Sequence, residues 1–172
     1  LAEPDAVGLD AQRLQRIDAI VAEGLAEKKM PGCVVCVGRH GKIAFLKAFG
    51  QKQLQPSELP MTTDTVFDMA SITKPMATAT SIMLLIERGQ LRLSDKVTSF
   101  LPEFAANDKE PITIHDLLIH HSGLLADNAI ADYDQGPAEA IKRICELKLL
   151  NPIGSKFVYS DVNFILLGEI VQ

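Results

Sequence analysis

Apolar residues recur every three or four positions at Leu14, Ile17, Val21 and Leu25. This spacing predicts a helix over residues 10–29, with Asp10 as N-cap and Gly32 just past the end. The period then changes. "CVVCVG" and "KIAFLKAF" flank "RHG", which predicts a β-hairpin over residues 33–49 with Gly41 available for positive φ. Residues 50–65 are polar and carry two prolines, so they read as a linker or surface loop. Beyond them the pattern is mostly helical. "MATATSIMLLIERG" is a strongly apolar helix ended by Gly89, and "LSDKVTSFL" starts a short one at Ser94. "TIHDLLIHHSG" has Thr113 as cap and Gly123 as stop, and "GPAEAIKRICELKLL" carries Pro137 in its first turn. "YSDVNFILLGEIVQ" predicts a capped helix that begins near Ser160 or Asp161 and runs to Gln172 without a stop signal. An unstopped helix and a hairpin too small to stand as a sheet make this chain, by expectation, the front part of something longer.

Composition narrows the function classes. The hydrophobic fraction of 47% and charged fraction of 23% fit a globular chain. A net charge of −5 leaves no basic footprint for nucleic acid, so no nucleic-acid partner is expected. No apolar run approaches the roughly 18 residues that a membrane span needs. The chain opens on Leu1 rather than Met, which leaves room for a leader ahead of it. Cys33 and Cys36 stand three apart on a predicted strand and so face opposite sides of it. Two small buried apolar side chains are the expectation, ahead of redox or metal chemistry.

One tetrad carries candidate chemistry. In "DMASITKP", Ser71 and Lys74 lie one helical turn apart on one face, and Pro75 is tolerated only in a first turn. A helix start presents free backbone N–H groups and a positive dipole end, so Ser71 there is open to attack on a carbonyl, with its own N–H facing a developing oxyanion. Apolar neighbours in "VFDMASI" and "MATATSIMLL" are expected to lower the pKa of Lys74 by desolvation and make it a base. Serine and lysine are common, so the tetrad alone carries little weight; the blocks that follow it carry more.

"SITKP", then "GQLRLSDKVTSFLPEF", then "ITIHDLLIHHSGL", then "FVYSDVNFILLGEIV" occur in that order. With them the chain resembles the serine β-lactamase and penicillin-binding protein superfamily, in its class C-like branch of β-lactamases, esterases and D-alanyl peptidases. The resemblance implies an α+β fold of the β-lactamase/transpeptidase type, a helical subdomain plus an antiparallel sheet flanked by helices. Residues 1–52 would give the helix and hairpin of the α/β part, and residues 53–172 the mostly helical part. It implies Ser71 as the acylated nucleophile, Lys74 as its proton partner and Tyr159 as the tyrosine of a Tyr-x-Asn motif. The 88 residues from position 71 to position 159 suit the class C-like branch better than class A.

Two departures bear on activity. Asp161 stands where many relatives have Asn; a carboxylate only accepts hydrogen bonds, while an amide also donates. Asp161 is either a substrate-binding and Lys74-holding residue or a cap of the last helix, and Asn163 is a second substrate-binding candidate. The family's Lys- or His-x-Gly strand motif is not in this sequence, so the chain by itself is expected to turn over substrate poorly. His115, His120 and His121 do not have the i, i+4 spacing of a zinc helix, and His120 and His121 point about 100° apart, so structural or capping roles are expected. No metal or cofactor is implied.

The reading is a serine hydrolase acting on ester, D-amino-acid peptide or β-lactam carbonyls, with a small-molecule or peptidoglycan-like substrate. The alternative is a catalytically silent binding or scaffold module, or an inactive fragment of the enzyme. Exposed hairpin edges and helix faces predict self-association. Compartment stays open: relatives are often exported, while three unpaired cysteines suit a reducing environment.

Overall fold

The computed structural model describes residues 1–172 as two compact units, Leu1–Asp68 and Met69–Gln172. The first unit holds α1 (Ala11–Ala26) and a three-stranded antiparallel sheet in the order β1 (Gly32–Arg39), β2 (Lys42–Gln53), β3 (Leu59–Pro60). Asp10 caps α1 as the sequence predicts, its carboxylate accepting from the Arg13 N–H at 3.0 Å. His40 and Gly41 both take positive φ, 52° and 70°, the backbone that a two-residue hairpin turn demands. Lys47 of β2 donates to Asp18 of α1 at 2.9 Å.

Three expectations change here. The stretch 50–65 is not simply a loop: β2 continues to Gln53, and β3 pairs back onto it. That pairing ties the segment to the hairpin, so the division of the chain falls after Asp68 rather than at residue 52. Cys33 is half-buried and Cys36 is exposed, so they are not a buried pair; one face of this sheet's edge is open at Cys36.

The second unit holds α2 (Thr80–Glu87), α3 (Ile114–Leu118), α4 (Pro137–Glu146) and α5 (Asp161–Val171). Its core gathers Ile82 of α2, Ile114 and Leu117 of α3, Ile144 of α4 and Leu166 and Leu167 of α5, together with Val97 and Phe104 from the connections. Apolar positions three and four apart on each helix converge on that cluster. Thr113 and Asp116 form a capping box at the start of α3, each side chain bonded to the other's backbone N–H. The helix stops well short of Gly123. His120 adopts a left-handed φ of 60°, and the N–H groups of His120 and His121 fold back to the carbonyls of Leu117 and Asp116. The helix expected from Ser94 is only a 3-10 turn, Val97–Ser99, because Lys96 pairs with Thr113 in an antiparallel bridge that holds the chain extended up to Val97.

Candidate active site

The site grows from an unbroken helical run. A 3-10 turn, Ala70–Ile72, leads through Thr73 into a π-helical segment, Lys74–Ala79, and on into α2. Ala70 sits at φ 44°, a left-handed backbone that a Cβ makes costly by about 1–2 kcal/mol. That bend precedes Ser71 directly, and local strain of this kind clusters at functional positions. Pro75 has no N–H to give the ladder, and the helix widens to π geometry around it, with the Thr80 hydroxyl donating to the Pro75 carbonyl at 3.0 Å.

Ser71 is exposed, and its Oγ accepts a hydrogen bond from Lys74 Nζ at 3.2 Å. Lys74 is largely buried, with 14% of its side chain exposed. It forms an ion pair with Asp161, the first residue of α5. Its ammonium stands 5.0 Å from the centre of the Tyr159 ring and 5.9 Å from that of Phe164. These groups compete over the lysine proton. Burial pulls the pKa down, but hydrogen bonds to Asp161 and then Tyr159, with the Asp161 charge, outweigh it and hold the pKa above the ordinary lysine value. The expectation of a lysine made basic by desolvation is therefore reversed: Lys74 rests as an ammonium.

Asp161 does not cap α5. Ser160 does, accepting from the Asn163 N–H at 3.2 Å, which leaves the Asp161 carboxylate to Lys74. Asn163 turns the other way. It is fully buried, its amide donating to the Leu117 carbonyl at 3.1 Å and accepting from the Ser122 hydroxyl at 2.7 Å. With both ends of the amide committed inside the core, Asn163 is a brace between α5 and the end of α3, not a substrate contact.

His120 joins the site unannounced. Its ring lies 4.7 Å from that of Tyr159 and 5.2 Å from that of Phe164, and its Nδ1 accepts from the Ser160 N–H at 3.0 Å. Burial, then the nearby Lys74 charge, lower its pKa below the ordinary histidine value. The sequence signal was only its place in "LLIHHSGL", where adjacent histidines masked which one turned inward. His121 instead meets the Gly154 carbonyl at 3.3 Å, and His115 is exposed.

Ser71, Lys74, His120, Tyr159 and Phe164 line one cleft of about 500 Å³, closed by Pro75, Ala79 and Leu118. A cleft of about 440 Å³ beside α4, lined by Glu103, Ile141 and Cys145 among others, is of similar size. Size does not choose between them. Only the first sets a hydroxyl, an ammonium, a phenol and an imidazole around one space.

Known proteins give an independent comparison. The Beta-lactamase family model matches residues 17–172. The chain is 41% identical to esterase EstB of Burkholderia gladioli, an alignment covering 77% of this chain and 36% of that protein. It is 32% identical to the N-acetylmuramyl-L-alanine amidase of Bacillus subtilis (strain 168), covering 94% of this chain and 41% of that protein. Among solved structures, a class C beta-lactamase in complex with cefoxitin superposes with a TM-score of 0.80 at 23% identity, over 94% of this chain and 44% of that one; this likeness speaks for the fold alone. The chain thus spans well under half the length of the curated relatives it matches here.

Proposed function

This chain belongs to the beta-lactamase family, and from that premise we propose that it supplies the nucleophilic half of a serine hydrolase working through an acyl-enzyme. Ser71 Oγ attacks a carbonyl carbon, and the Ser71 N–H supports the resulting oxyanion. The leaving group departs with a proton, an ester forms on Ser71, and water then hydrolyses it. The Ser71 proton passes to Lys74 in its neutral form, and Tyr159 moves protons between Lys74 and the leaving group. Because Lys74 rests charged, the reactive form is the deprotonated minority, and the rate climbs with pH as Lys74 gives up its proton. The observation that carries this reading is the 3.2 Å Ser71–Lys74 contact, with Lys74 gripped by Asp161 beneath the Tyr159 ring.

Candidate substrates are esters, D-amino-acid peptides and β-lactams. Esters rank first, because Asp161 offers a substrate no donor where an amide would. The chemistry calls for no metal or cofactor. A second reading, a silent binding module, draws on the charge of Lys74, which cannot accept the Ser71 proton at rest. Labelling separates the two. The protein is treated with a fluorophosphonate or a fluorescent penicillin, and the adduct is mapped by mass spectrometry. An adduct at Ser71 that vanishes in Ser71→Ala is the expected result; no adduct, where a control hydrolase labels, rejects the enzyme. Met69, Ile72 and Met76 are exposed beside the site, and self-association through them is expected to grow with concentration in sedimentation velocity.

A further inference from the structure

His120 grips the segment that carries Tyr159 from both sides. Its carbonyl accepts the Val158 N–H at 2.9 Å, and its ring Nδ1 accepts the Ser160 N–H at 3.0 Å. Tyr159 lies between those two bonds, its ring against the imidazole, and Asp161 follows directly. The backbone of His120 is left-handed, and the residue is buried to 9% exposure. An imidazole that accepts at Nδ1 carries its proton on Nε2. The imidazolium is a donor at both nitrogens, so protonation would set one N–H against another and remove the bond.

We propose that His120 is a positioning residue of this hydrolase, holding Tyr159 beside Lys74 through a hydrogen bond that only the neutral imidazole makes. The inference rests on the acyl-enzyme reading above. The charged and titratable groups facing the ring are Lys74 from the π-helical segment, Tyr159 just ahead of α5 and Asp161 at its first position. Lys74 opposes a second positive charge and Asp161 favours it; burial and Lys74 prevail, so His120 charges only below its ordinary pKa of 6.5.

Two variants test this against a merely structural role. His120→Asn keeps an acceptor on the γ-carbon in place of Nδ1, tolerates left-handed backbone and does not titrate. His120→Phe keeps the ring stack and loses the acceptor. The rate of fluorophosphonate labelling at Ser71 is followed from pH 5 to 9 in both and in the unsubstituted protein, with circular dichroism melts to confirm folding. Loss of one buried hydrogen bond predicts about tenfold slower labelling in His120→Phe at pH 8. With an ester substrate that loss is expected in kcat rather than KM. His120→Asn should label within about threefold of the unsubstituted rate at pH 8. As pH falls through the His120 titration the ratio of the Asn rate to the unsubstituted rate should rise and level off about tenfold higher, because protonation removes the same bond that His120→Phe lacks and Asn does not titrate. Equal pH dependence in the two, or undiminished labelling in a folded His120→Phe, overturns the inference and leaves the hydrolase standing. No Ser71 adduct in the unsubstituted protein at any pH overturns the hydrolase, and this role with it.

Discussion

Asp161 sets the charge state of the proposed nucleophile's partner. Its carboxylate is half exposed, yet together with the phenol it overrides the desolvation of Lys74. Asp161→Asn removes the ion pair and leaves burial less opposed, so the lysine pKa falls and the alkaline rise in Ser71 labelling moves to lower pH. At pH 8 the labelling rate should rise roughly three- to tenfold. An unchanged or slower rate would mean that the carboxylate positions the amine more than it holds the proton. Tyr159→Phe, which keeps the ring against His120, is expected to slow labelling about 100-fold if the phenol relays protons. The spacing in the chain offered Ser71 and Lys74 as candidates and the family resemblance offered Tyr159; the structure brings the three to one cleft. The charge on Lys74 was not legible, since it depends on a carboxylate 87 residues away arriving at one atom. His120 and Asn163 were not legible for a similar reason: His120 turns inward at a left-handed residue, and Asn163 is held in the core by Leu117 and Ser122, more than 40 residues back.

At the scale of elements, helix ends hold the site in place. Ser160 caps α5 through the Asn163 N–H and also donates to the Leu125 carbonyl at 2.7 Å, so Ser160→Ala should cost about 1–2 kcal/mol in urea unfolding. The end of α4 is closed differently. Lys109 is fully buried with no carboxylate partner; its ammonium donates to the carbonyls of Ala106, Cys145 and Leu147 and sits 5.2 Å from the centre of the Phe104 ring. Burial lowers its pKa, but its three donors are all occupied. Lys109→Met fills the space and strands carbonyls at the end of α4, which predicts a loss of about 3 kcal/mol. A neutral result would show that water replaces the ammonium there. Caps at Asp10 and Thr113 and the proline start of α4 were readable because each is a local rule. Lys109 was not, because its acceptors at Cys145 and Leu147 lie 36 and 38 residues on. Nor was the π-helical segment, which no hydrophobic period distinguishes from an α-helix.

Across the whole chain, burial is unevenly shared. All fourteen side chains of the main apolar cluster lie between Ile82 and Leu167, inside the unit Met69–Gln172. The unit Leu1–Asp68 buries only Val7, Val21 and Ala44 among its apolar residues. Each buried large aliphatic or aromatic side chain is worth about 1.5–3 kcal/mol, so the two units differ greatly in what opposes their chain entropy. A three-stranded sheet with one helix and so thin an interior is at the margin of independent stability. Met69–Gln172, expressed alone, should therefore unfold in urea as one cooperative transition and retain the Ser71–Lys74–Tyr159 arrangement, because every residue that positions those three lies within it. Leu1–Asp68 alone should show no cooperative transition. Circular dichroism across a urea series decides both. A molten Met69–Gln172 would mean that the fourteen-residue cluster does not by itself hold the site, and the proposed chemistry would then depend on chain outside that unit.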